Sequence, residues 1–224
     1  METVKVWRRH RGAGVALAIG GCGVLFMGLL VAMGLRRSAP ETFVPTSLER
    51  QPAGGRLVGP RLFTVDASPA DRWQFFSFED GSVVQNPGPR GWDLAFRRFR
   101  VIVNGGVGFA GDGGVAELRT ASLDSVTVAP GGDYVVNTAR TDTTNAVLEE
   151  WYDYSYISHL LSPRPTVYAV RTAEGRYALL QFVGYYCPGA VPGCVTFRYM
   201  YQGGGGVSMG KDLPEGPTPV RPPA

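Results

Sequence analysis

Histidine and cysteine are scarce in this chain, which has two histidines, His10 and His159, and three cysteines in 224 residues. That scarcity excludes zinc modules rich in Cys and His and any metal centre built from several histidines. Charge is also sparse, at 18% of residues with a surplus of only +3. The surplus is confined to one end: residues 1–37 hold six basic side chains against one acidic, and the remaining 187 hold 16 against 18. A domain of that balance has no basic footprint for nucleic acid, so no nucleic-acid partner is expected. Glycine (31) and proline (17) are abundant instead, together roughly twice their usual share of about 12%. Such a composition favours short strands and turns over long helices.

Residues 12–35, GAGVALAIGGCGVLFMGLLVAMGL, run without a charge. About 20 apolar residues cross a bilayer core, so the stretch predicts a transmembrane helix. It is longer than the apolar core of a signal peptide, and Arg36-Arg37 follows it, which disfavours cleavage there. Cleaved-signal and lipoprotein readings stay open, the latter because Ile19-Gly20-Gly21-Cys22 is close to a lipobox. Lys5, Arg8, Arg9 and Arg11 before the span outweigh the two arginines after it. The positive-inside rule then places residues 1–11 in the cytoplasm and the rest outside a bacterial inner membrane. Gly12, Ala16 and Gly20 recur at every fourth position, a spacing that lets a second helix approach closely in lipid.

Residues 36–60 are rich in Pro and Gly and read as a linker, and residues 214–224 as a proline-rich tail. Between them, 61–213 reads as an all-β exported domain. Alternation or β-branched and aromatic enrichment marks 62–65, 73–78, 92–103, 115–118, 125–129, 134–136, 167–171, 177–186 and 195–201 as strands. Turn signals such as Glu79-Asp80-Gly81 and Ala173-Glu174-Gly175 separate them. Residues 145–161 are the place for a helical turn or an irregular excursion. A hairpin joining 183–186 to 195–201 brings Cys187 and Cys194 within disulfide reach, which suits an oxidising compartment.

Three motifs look chemical. Gly106-Val107-Gly108-Phe109-Ala110-Gly111 has the G-x-G-x-x-G form, but Asp112-Gly113-Gly114 follows where a dinucleotide site needs a helix. Gly206-Val207-Ser208-Met209-Gly210 has the G-x-S-x-G form without a downstream histidine. Glu149, Glu150 and Asp153 lack the environment of an acid/base pair. No enzyme is expected. His159, in the aromatic run Trp151 to His159, is the one histidine beyond the head and a candidate iron ligand.

The segment from Trp92 to Gly106, WDLAFRRFRVIVNGG, and the glycine-rich loop ending Gly113-Gly114-Val115-Ala116 resemble the bacterial HmuY-like haem-binding family. So do Trp151-Tyr152-Asp153-Tyr154, the stretch VYAVRTAEGRYALLQF from Val167 to Phe182, and Val195 to Tyr199. The resemblance implies two packed antiparallel sheets, and haem held by a pair of axial histidines or methionines. The exported part offers one histidine, His159, and two methionines, Met200 and Met209, so a bis-histidine site within one chain is excluded. The expectation is therefore a non-catalytic accessory subunit of a membrane complex, with no resident cofactor, contacting other membrane subunits and the bilayer. The alternative is a haem or tetrapyrrole module using His159 with Met200 or Met209.

Overall fold

The computed structural model describes residues 21–29, 31, 39–139 and 142–210. The chain divides into two units, Met1–Ala39 and Pro40–Ala224. In the first, the described residues 21–29 are helical and exposed, with Cys22 a free thiol. No helix among the described residues is long and apolar enough to cross a membrane. Most of the expected span 12–35, the packing residues Gly12, Ala16 and Gly20, and the tail 214–224 lie outside the described residues.

The second unit is a β-sandwich. Its strands in chain order are β1 (Leu57–Asp66), β2 (Gln74–Ser77), β3 (Ser82–Val84), β4 (Leu94–Arg97), β5 (Arg100–Val103), β6 (Gly114–Leu118), β7 (Thr138–Ala139), β8 (Thr143–Thr144), β9 (Tyr152–Tyr154), β10 (Leu161–Pro163), β11 (Val167–Arg171), β12 (Tyr177–Cys187) and β13 (Val191–Gln202). One sheet has the order β1-β13-β12-β11-β6 and the other β3-β2-β4-β5, and every ladder in both is antiparallel. The two short pairs are β7–β8 and β9–β10.

Alternation along the strands fixes what faces what. From β13, Val195, Phe197, Tyr199 and Tyr201 point into the main core; from β12, Ala178, Leu180 and Phe182 join them. Phe76, Leu94, Phe96, Val101 and Val103 meet them from the second sheet. The intervening residues turn outward. Met200 and Leu179 share a second cluster with Leu123, Ala129 and Met209 on the far face of the five-stranded sheet, and Ala95, Ile102 and Trp92 form a third on the far face of the other. Phe197 is the hub: it stacks on Phe96 with centroids 5.5 Å apart and meets Phe76 edge-on at 5.2 Å.

Several expectations shift. Residues 92–103 form a hairpin rather than one strand, because Arg98 takes a left-handed φ of 57° and reverses the chain. Its guanidinium donates to the carbonyls of Ser68 and Pro192, contacts that no local pattern announces. Residues 125–129 follow a 3-10 turn (Leu123–Ser125) instead of forming a strand, and 134–136 contribute only the bridge Val115↔Val135. The stretch read as a linker is bonded to the sandwich: Phe43 N–H donates to Tyr186 O, Thr46 N–H to Thr64 O and Ala53 N–H to Glu79 O. A Cβ on Gly184 would lie 2.3 Å from the Phe43 ring, so glycine there makes room for the strap.

Cys187 and Cys194 are joined across the β12–β13 tip with their Cα atoms 4.9 Å apart. For so short a loop the chain-entropy account predicts stabilisation of about 2.5 kcal/mol. The double substitution Cys187→Ser/Cys194→Ser is expected to lower the unfolding free energy by that amount, read as a lower urea midpoint, and reductant should shift the wild type to match it.

Candidate functional site

Three hairpins converge beside the disulfide. The β4–β5 turn supplies Phe99, the β9–β10 pair supplies Tyr152, Tyr154, His159, Leu160 and Leu161, and the β12–β13 tip supplies Tyr185, Tyr186, Ala190 and Pro192. Together they line an open groove of about 430 Å³, within the usual range of about 300–1,000 Å³ for small-molecule sites. Tertiary hydrogen bonds lock the walls: Trp151 Nε1–H donates to Phe99 O at 2.8 Å, and Leu161 N–H donates to the Tyr186 hydroxyl at 2.8 Å.

Backbone strain gathers at the same place. Arg98, His159 and Ala190 have φ of 57°, 56° and 59°; two of them line the groove and the third precedes Phe99. Left-handed non-glycine residues cost free energy and persist where surrounding structure over-determines them. Around His159 that structure is a tight loop, in which His159 N–H donates to Ser155 O and Ser155 N–H to Leu160 O, both at 2.8 Å.

The polar chemistry of the groove is concentrated in one pair. The Tyr154 hydroxyl lies 2.8 Å from His159 Nδ1. Burial pushes the Tyr185 hydroxyl above its ordinary pKa, against a pull from Arg98, and the Tyr152 hydroxyl is raised by burial and then by Glu149. These phenols stay neutral and act as walls.

The structure does not bring the expected ligands together. Met200 and Met209 are buried in one apolar cluster on the outer face of the five-stranded sheet, whereas His159 is exposed on the β9–β10 loop. A His159–Met200 or His159–Met209 pair is therefore corrected: β13 alternation points Met200 away from the core that Tyr199 and Tyr201 enter. The other motifs resolve structurally. Gly111 and Gly113 crowd Asn104 O so closely that a Cβ on either would come within 2.4 and 2.5 Å of it. Glu150 and Asp153 both pair with Arg164. Among the described residues no cluster of three His, Cys, Asp or Glu side chains could hold a metal ion. Tyr154 is the groove residue that sequence reasoning passed over as a donor; its spacing from His159 in a polar, aromatic run was the available signal.

The family model described as HmuY protein matches residues 70–199. The chain belongs to the HmuY family. Solved structures share its fold: a Bacteroides fragilis protein named as a lipoprotein (22% identity, 73% of this chain and 98% of that one, TM-score 0.56), the apo HmuY analogue of Tannerella forsythia (18%, 66% and 97%, 0.52), and a Bacteroides vulgatus protein named as HmuY-like and haem-binding (22%, 68% and 96%, 0.52). A search of curated proteins finds no match. The HmuY-family sandwich is thus the frame on which the Tyr154–His159 groove is carried.

Proposed function

We propose that this protein is a non-catalytic binding module whose groove takes a flat tetrapyrrole of the haem type. The observation that carries the reading is the groove itself, with aromatic walls from three hairpins and a single phenol–imidazole pair opening into it. The name of the Bacteroides vulgatus relative supports the ligand class. The donor set fits haem through that pair and not through the methionine sulfurs. Bound haem would supply an iron able to accept an oxygen or nitrogen donor from the protein. Phe99, Tyr186 and Pro192 would cover its apolar face, and Tyr154 with His159 would meet its centre.

This reading displaces the scaffolding subunit as the better account of the aromatic surface. We further propose that the module works outside the cytoplasm, tethered by residues 12–35. The basic head and the Cys187–Cys194 bond support that placement.

Titration of the full chain in mild detergent with haemin tests the function. The expected result is a sharpened, shifted Soret band saturating at one haem per chain, weakened when Leu160→Glu places a carboxylate in the wall. A spectrum no different from free haemin would overturn it.

A further inference from the structure

Resting on the tetrapyrrole reading, we propose that a second, smaller cavity beside the groove is a carboxylate subsite, where Arg100 and the edge of β5 hold an ionised side arm of the ligand. The cavity measures about 160 Å³, and its lining includes Phe99, Arg100, Val101, Thr143, Glu149 and Tyr152. Phe99 and Tyr152 also line the groove, and their rings meet edge-on with centroids 5.7 Å apart. The two spaces therefore adjoin at that aromatic pair. A volume well below the roughly 300–1,000 Å³ of a site for a whole small molecule suits one arm of it. Macrocycles of the haem type carry their carboxylates on such arms, at the ring edge.

The donors come from the β4–β5 hairpin. Asn137 brackets Val103, accepting from its N–H through Oδ1 and donating to its carbonyl through Nδ2, so those backbone groups point away from β4. Val101, two residues earlier on the same strand, points its N–H and C=O the same way. β5 ends its sheet, so the Val101 N–H is turned to the cavity that Val101 lines. Arg100 adds a guanidinium. It and Arg97 both pair with the Asp142 carboxylate, Arg97 at 3.1 Å. Arg97 is held a second time, with its guanidinium 4.5 Å from the centroid of the Trp73 ring. Arg100 lines the cavity and its side chain is 41% exposed, so of the two it is the one with room to turn toward an incoming anion. A carboxylate on a guanidinium and a backbone N–H makes stronger hydrogen bonds than a neutral acceptor does. Glu149 on the same lining repels that arm, which supplies a variant of opposite sign.

The test compares ferric haemin with its dimethyl ester on the full chain in mild detergent. The wild type is expected to bind the acid about 10- to 100-fold more tightly than the ester, the ratio that a charge-assisted hydrogen bond carries. Arg100→Met keeps the apolar stem; it should weaken the acid by that factor and leave the ester unchanged. Glu149→Gln should tighten the acid alone about 2- to 5-fold, the scale of an exposed charge pair, a gain that a damaged fold would not give. Equal wild-type affinity for acid and ester overturns the subsite and leaves the tetrapyrrole reading in place. A preference untouched by Arg100→Met overturns it, and so does equal weakening of both ligands, which would make Arg100 a prop of the wall. If the wild type binds neither ligand, the tetrapyrrole reading itself fails.

Discussion

Replacing Phe197 by alanine is expected to destabilise the sandwich by about 3–5 kcal/mol. Phe197 is fully buried and lies within 6.4 Å, centroid to centroid, of Phe63, Phe76, Phe96, Phe182 and Tyr199, rings drawn from both sheets. Truncation removes the transfer energy of the ring and leaves a cavity that five mutually braced aromatics cannot close. A domain of this size has only about 5–15 kcal/mol in hand, so the variant should unfold at a far lower urea concentration. Phe197→Leu keeps most of the volume and should cost much less. Equal midpoints for Phe197→Ala and the wild type would show that the two sheets are not joined through this ring.

The second large effect concerns Asp93, which is buried and ties the sheets together. Its Oδ2 accepts from Phe78 N–H at 2.8 Å, and its Oδ1 from Ala173 N–H at 2.9 Å, at the β11–β12 turn. Burial raises its pKa from 3.8 to about 6; the two N–H donors oppose that rise, and Glu174 and Asp80 add to it. Between those values the folded chain binds more protons than the unfolded one, so stability falls as pH rises. A shift of that size is worth roughly 3 kcal/mol, present in full below about pH 4 and lost by about pH 7. Denaturant midpoints across that range should show the decline, and Asp93→Asn should flatten it. Other carboxylates titrate in the same interval, so the readout is the difference between the two proteins. A slope unchanged by the substitution would remove Asp93 from the account.

Strands whose signal is local were legible. The run at 167–171 is β11, and the turn at 173–175 joins it to β12. The cysteine pair follows from the hairpin geometry. Where tertiary contacts decide, the sequence misleads. The Arg98 turn has neither glycine nor proline, since a guanidinium bonded to Ser68 O and Pro192 O holds it in place. Val126, Val128 and Val135 look like strand residues but cover the outer Met200–Met209 cluster or make single bridges. The short β3 carries too few residues for a period to show. The groove was harder still, because its walls come from three hairpins far apart in the chain. Composition could count His159 and two methionines, but strand alternation in space determines that the sulfurs and the imidazole never share a face.

Two residues of the groove, Ala190 and Pro192, lie inside the ring closed by Cys187 and Cys194. The β12–β13 ladder pairs Tyr186 with Pro192 and Cys187 with Val191 at the same tip. The one covalent cross-link of the sandwich is thus set into the groove wall itself, so a reductant that lowers the stability of the fold acts first on the loop that carries Ala190 and Pro192.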